Sequence, residues 1–287
     1  YIFADGTTLG GADGIAVAYA LAVLDSSELK HPPLEAVFTV DEEIGMLGAA
    51  ALDMSGLQGR VLLNIDSEDE GILTVSCAGG APSCLTVPVK RVPAQGKAWR
   101  VGVRGLTGGH SGVEINKGRA NANKVLAAAL QALPETEQHA EFYCEPAEAG
   151  EMLAESEAVL GLLNAVPNGV QAMSSDIPGL VQTSLNLGIL TTDADAVRLT
   201  FSVRSSVNRE KFGLIDQLKA LAARFGGSYS ESGEYPAWEY QKDSRLREVM
   251  VEVFEAQYGR KPVVEAIHAG LECGIFSDRL PGLDAVS

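Results

Sequence analysis

Basic residues are scarce in this chain: 22 lysines and arginines stand against 38 acidic residues in 287, a formal net charge of −16. Such a surface repels phosphate backbones and anionic lipid, which argues against nucleic acid as a partner. Cysteine is sparse too, with only Cys77, Cys84, Cys144 and Cys273 and no Cys-x-x-Cys pair. That argues against a disulfide frame or a thiolate metal site, and we expect reduced core thiols in a cytoplasmic setting. No stretch reaches the roughly 20 consecutive apolar residues of a membrane span. No charged-apolar-small leader opens the chain, so neither membrane nor export is expected. Internal repeats and low-complexity tracts are also missing.

What is present suits a globular protein. A hydrophobic content of 46% over 287 residues is enough for one large core or two moderate ones, and two domains is the better reading. Residues 14–24 (GIAVAYALAVL) follow a glycine-rich turn and predict a buried helix. Residues 34–40 and 60–65 predict short strands separated by the helix-like GMLGAAALD, the rhythm of a βαβ unit with a parallel sheet. From LTVPVKRV onward the pattern becomes strand-like alternation, then a helix near 120–133, strands over VQTSLNLGIL and VRLTFSVRSS, and a helix near 209–225. This order predicts a smaller α+β domain set inside the first. Near Pro236 the chain returns to the first domain with a helix over 244–258, the strand VVEAI and the segment HAGLECG. The expected architecture is α/β: a parallel-rich sheet with helices on both faces over 1–79 and 237–287, with an inserted α+β domain over 80–236.

In parallel sheets reactive groups gather beyond the carboxyl ends of the strands. Here both predicted strands end in carboxylates: Asp41, Glu42 and Glu43 after the first, and Asp66, Glu68, Asp69 and Glu70 after the second. Adjacent glutamates at a buried strand end repel one another unless a cation sits among them. A divalent metal meets that need, with one carboxylate as ligand and its neighbour as general base for a metal-bound water. An acidic turn in solvent is the alternative. Asp66, closing the neighbouring strand, favours the metal.

The strings GTTLGGADGIAVAYALAVL, HPPLEAVFTVDEEIGMLGA, LLNIDSEDEG, CAGG, GLTGGHSGVEINKGRANA, PNGV, GLVQTSLNLG, VRSS, YPAWEY and HAGLECG occur in order. Together they resemble the aminoacyl-histidine (Xaa-His) dipeptidases, a branch of the co-catalytic dizinc metallopeptidases. The resemblance implies hydrolysis of dipeptides, two zinc ions per active site with manganese or cobalt as substitutes, and a homodimer formed through the inserted domain as lid. It implies Glu42 as general base, Glu43 as ligand to one zinc and Asp66 as ligand to the other. His110, in GGHSG, is implied to stabilise the tetrahedral oxyanion, a task suited to an imidazole N–H; a histidine that only bonds backbone is the plainer reading. Arg204, in VRSS, is implied to hold the substrate carboxylate, where a guanidinium makes two parallel bonds; a surface ion pair is the alternative. Asn116, Arg119 and Asn121 flank a helix start and fit either substrate contacts or caps. His268 and Glu272, in HAGLECG, are implied to line the substrate pocket, a tight turn being the alternative. His31 and His139 read as solvent-exposed.

The chain also departs from the pattern it resembles. Where a zinc-bridging aspartate is implied, the turn reads Gly11-Ala12-Asp13-Gly14, so Ala12 occupies that position and Asp13 follows it. The implied His-x-Asp motif and a later ligand histidine would fall outside the two ends, and the Asn-Ala-Ile-Pro string implied between about 134 and 141 is missing. We therefore expect a piece of a longer protein, inactive by itself. A catalytically silent, peptide-binding or associating protein with the same fold is the rival reading.

Overall fold

Alternation with period two dominates the middle of the chain and amphipathic helical runs flank it, so two kinds of layer result. The computed structural model describes residues 5–6, 11–67, 69–131, 141–148 and 150–287, with backbone alone over 11–13. The side chains of Ala12 and Asp13, together with Glu68 and His139, lie outside the described residues. The chain divides into two compact units, Tyr1–Cys77 with Ala237–Ser287, and Ala78–Pro236.

The first unit begins with α1 (Gly11–Asp25), α2 (Leu47–Ala51), β1 (Val61–Leu63) and β2 (Ile72–Cys77). Helix α1 is apolar all round, which predicts burial, yet Ile15, Tyr19, Leu21 and Leu24 are exposed. The expected buried helix is thus corrected: no surface among the described residues covers it. Residues 34–40 are corrected as well, since no strand forms there. Their apolar run has the composition of a strand, but a ladder needs a partner and none of the described residues pairs with it.

The second unit runs from β3 (Gly79–Pro88), β4 (Arg91–Pro93) and β5 (Ala98–Arg104) through α3 (Ala122–Ala129), β6 (Glu141–Ala147), β7 (Glu151–Leu153), α4 (Ser156–Ala165), β8 (Gly169–Met173), β9 (Val181–Thr192), β10 (Ala196–Ser205) and α5 (Asn208–Arg224) to β11 (Ser228–Glu231). Its main sheet has the order β11-β3-β10-β9-β8 and is antiparallel throughout. Strand β10 alternates cleanly: Val197, Leu199, Phe201 and Val203 are buried, while Arg198, Thr200, Ser202 and Arg204 are half-buried on the other face. With Leu85, Val87, Leu185 and Leu187 these residues meet Leu214, Ile215 and Leu218 of α5 and Leu162 and Val166 at the end of α4. Each such side chain stabilises the unit by about 1.5–3 kcal/mol. Helices α3 and α4 are tied by Lys124, whose ammonium donates to the carbonyls of Leu163, Asn164 and Val166 at 2.5, 3.0 and 2.6 Å. A cation there satisfies carbonyls that a helix end leaves unpaired; partial burial lowers its pKa.

The chain then re-enters the first unit with α6 (Arg245–Tyr258), β12 (Val263–Ile267), α7 (Glu272–Arg279) and β13 (Asp284–Val286). Ser244 caps α6 by accepting the Arg247 N–H at 3.0 Å. Strand β12 pairs parallel with β2, and β13 parallel with β1. Ser287 and Thr74 exchange backbone bonds of 2.8 and 3.0 Å, which carry the pairing from β13 to β2. Leu73, Val75 and Val286 form the buried centre of this ladder. Among the described residues, parallel pairing is therefore confined to the first unit. Of the cysteines, Cys77 and Cys273 are buried as expected, but Cys84 is half-buried and Cys144 exposed. The exposed cysteine lies on β6, which pairs with β5 in a two-stranded ribbon.

Candidate functional site

In the first unit, the carboxylates sit on a tightly wound turn. The carbonyls of Val40, Asp41 and Glu42 accept N–H bonds from Gly48, Leu47 and both Gly45 and Met46, at 2.9, 3.1, 2.9 and 2.8 Å respectively. Winding the chain this closely forces Asp41 and Met46 into the left-handed region, each with φ of 57°. That region is costly for residues other than glycine and persists only where packing holds it, as at functional sites. Gly48 has to be glycine because a Cβ would overlap the Val40 backbone. Glu42 is half-buried on this turn and Glu43 exposed.

Helix α7 anchors the turn. Arg279 donates to the carbonyls of Ala49, Ala50 and Leu52 at 3.4, 2.6 and 3.3 Å, satisfying the end of α2. At the other end of α7, Glu272 accepts from Thr39 Oγ1 at 2.9 Å, two residues before Asp41. Asp66 is exposed just beyond β1. Burial chiefly, and then the neighbouring Cys77, Glu272 and Asp66, push the Cys273 thiol well above the usual thiol range. Those neighbours put Asp66, Glu272 and Cys273 in one locality, and His268 is buried four residues before Glu272. Burial likewise pushes Cys77 up to about 11. The carboxylate oxygens of Glu43 and Asp66 have the right chemistry for a divalent cation. The set is nevertheless incomplete, since no group of three His, Cys, Asp or Glu side chains among the described residues is placed to hold a metal ion.

In the second unit, His110 lies exposed on a loop built around Glu114. The Glu114 carboxylate accepts the His110 N–H at 2.9 Å, Lys117 Nζ at 2.6 Å and Arg119 Nη2 at 3.1 Å. Lys117, then the His110 amide and Arg119, hold its pKa at about 2. Arg119 also donates to the Gly108 carbonyl and lies where a Cβ on Gly109 would be. Arg119 thus braces this loop, while Asn116 is exposed on the adjoining turn. His110 Nδ1 accepts two backbone bonds, from Gly112 at 3.1 Å and Val113 at 3.2 Å. An imidazole nitrogen that accepts carries no proton, so in the neutral ring the N–H is on Nε2. Asn121 is a helix cap: its Oδ1 accepts from Asn123 and Lys124 at the start of α3. Arg204 is the penultimate residue of β10; its Nη1 donates to Tyr235 Oη at 3.1 Å and its Nε is buried without an acceptor among the described residues.

Sequence reasoning gave no role to Thr39, Glu114, Arg279 or Tyr235. Glu114 had a signal, four residues from a histidine and three from a lysine. Tyr235 stood within the quoted string YPAWEY. Thr39 and Arg279 act across more than 200 residues and carry no local mark.

Carboxylates on a wound turn of the first unit and an oriented imidazole in the second are groups that hydrolytic chemistry uses, and comparison with known proteins defines the class. Residues 1–286 match the model of peptidase family M20/M25/M40, and the chain belongs to that family. By family it is a metallopeptidase. It is 33% identical to the cytosol non-specific dipeptidase of Escherichia coli (strain K12) over an alignment of 345 positions, covering all of this chain and 71% of that protein. The crystal structure of aminoacylhistidine dipeptidase from Vibrio alginolyticus superposes with a TM-score of 0.91 at 33% identity, over all of this chain and 71% of that one. The uncharacterized protein YqjE of Bacillus subtilis (strain 168) is 25% identical over 96% of this chain and 63% of its own length. An alignment longer than the chain means that the Escherichia coli protein has segments with no counterpart here. The family uses a divalent metal.

Proposed function

We propose that this protein hydrolyses the peptide bond of dipeptides of the Xaa-His type, working in the cytoplasm. The observation that carries the reading is the wound turn over 40–48, which presents adjacent carboxylates in a chain whose whole length resembles a dipeptidase. In this reading Glu42 accepts a proton from the attacking water and returns it to the departing amine. His110 donates from Nε2 to the oxyanion, and its two backbone bonds support that tautomer. Arg204 binds the C-terminal carboxylate, and His268 and Glu272 in the first unit and Asn116 and Arg119 in the second are the remaining substrate-binding candidates. The metal is zinc, two ions per site, with manganese or cobalt able to replace it. Glu43 and Asp66 would hold it, with Asp13 a weaker candidate beside Ala12, which has no oxygen to offer. In this reading Ala12 offers a metal no oxygen, so the Ala12 form stays inactive until a carboxylate stands at that position. The unit Ala78–Pro236 acts as a lid and as the surface for homodimer formation. The rival reading, a silent peptide-binding protein, is less favoured because the two relatives at 33% identity are both named as dipeptidases.

The test is metal content and Xaa-His dipeptide hydrolysis, on this chain and on a full-length version with Ala12→Asp. Retained zinc and cleavage in the Asp form alone support the proposal. Cleavage by the Ala12 form removes the claim of inactivity, and no metal or cleavage in either form removes the mechanism.

A further inference from the structure

Arg204 falls on the face of β10 opposite the core, and its direct cross-strand partner on β3 is Gly80. On its other side Gly80 forms an antiparallel bridge with Tyr235, through backbone bonds of 3.1 and 2.9 Å. Directly opposed residues share a face of a sheet, so Arg204, Gly80 and Tyr235 make one row. Gly80 has no side chain, and the Tyr235 ring lies across it; a Cβ there would overlap the ring. The phenol thereby reaches Arg204 Nη1, which donates to it at 3.1 Å. Tyr235 is held in turn by α5: Lys211, with no side-chain exposure, donates to the Tyr235 carbonyl at 2.7 Å and pairs with Glu234.

The geometry matters because a guanidinium has two usable edges. Nη1 lies on the side of Cδ, and the opposite edge is formed by Nε and Nη2, whose parallel N–H bonds match the two oxygens of a carboxylate. Tyr235 occupies Nη1. Nε, on the other edge, is the buried donor without an acceptor among the described residues, an arrangement that is costly for a charged group unless a ligand completes it.

We propose that Tyr235 is a positioning residue for substrate recognition: by holding Nη1 across Gly80 it presents the Nε–Nη2 edge of Arg204 to the C-terminal carboxylate of the dipeptide. This rests on the reading of Arg204 as the carboxylate anchor. It makes selectivity for a free C-terminus depend on a tyrosine that does not touch the substrate.

The experiment is equilibrium binding to the full chain, by calorimetry, of a non-cleavable reduced-bond Xaa-His analogue with a free carboxylate and of its C-terminal amide. Tyr235→Phe keeps the ring and removes the hydroxyl, and unchanged circular dichroism and melting temperature certify that the variant folds. The expected result is about tenfold weaker binding of the carboxylate form, the size of one charge-assisted hydrogen bond, with binding of the amide unchanged. In an Arg204→Ala background the same substitution should have no further effect. Equal weakening of both ligands, no weakening of either, or an undiminished effect in the Arg204→Ala background overturns the role of Tyr235. If the unsubstituted chain does not prefer the carboxylate form, or Arg204→Ala leaves the preference intact, the anchor itself falls. Loss of preference in Arg204→Ala but not in Tyr235→Phe leaves the anchor standing and removes only the positioning.

Discussion

Glu42 and Glu43 are neighbours in sequence with different surroundings, one half-buried and one exposed on the same turn. Separate tasks for adjacent carboxylates need that kind of difference. In the active, metal-loaded form, Glu42→Gln should lower dipeptide hydrolysis by about 10²–10⁴-fold, the usual range for general base catalysis, with metal content unchanged by elemental analysis. Equal loss of metal would make Glu42 a ligand instead. Glu114 gives a second prediction at this scale. Its folded pKa is depressed to about 2 from an ordinary 4.5, so the order it lends the His110 loop is complete above about pH 4.5 and is lost as pH falls toward 2. Hydrogen exchange at the His110 amide, corrected for intrinsic rate, should lose protection over that window. Glu114→Gln should remove most of this dependence; an unchanged profile would assign it to another group.

At the scale of elements, the turn over 40–48 and helices α2 and α7 act together. Gly48→Ala forces a methyl against the Val40 carbonyl and should destabilise the first unit by about 1–3 kcal/mol, read as a lower denaturation midpoint. No change would mean that the turn yields easily. The sequence marked this turn by its acidic cluster but did not mark its winding, because left-handed Asp41 and Met46 are produced by tertiary packing rather than by local preference. The core strands β9 and β10 and the helices α5 and α6 were legible, since each has a clear period and a buried face or a cap. Residues 34–40 were misread because apolar composition does not supply a pairing partner. Of the proposed functional residues, Glu42, His110 and Arg204 were visible as residue types in telling strings. What holds them, Glu114, Tyr235 and Arg279, became visible only when distant segments were brought together.

Across the whole molecule the two units are unequal. Unit Ala78–Pro236 has a large buried core with Leu85, Leu199, Phe201 and Leu218 near its centre, while the other shows Ile15, Tyr19, Leu21, Phe38, Val40 and Leu63 at its surface. Exposed apolar groups in such number mark an interaction or aggregation surface. The chain should therefore bind an environment-sensitive hydrophobic dye under native conditions, with a clear fluorescence rise; the lack of one would show that the surface is covered in solution. Native-state hydrogen exchange should be slowest in β3, β9 and β10 and fast in α1, as local stability follows buried contacts. Lys211, enclosed with Glu234 and the Tyr235 carbonyl, adds a practical consequence. An amine hidden this completely should escape acylating reagents while surface lysines react, so the first appearance of label at Lys211 in a mass spectrum would time the moment at which the segment carrying Tyr235 lets go.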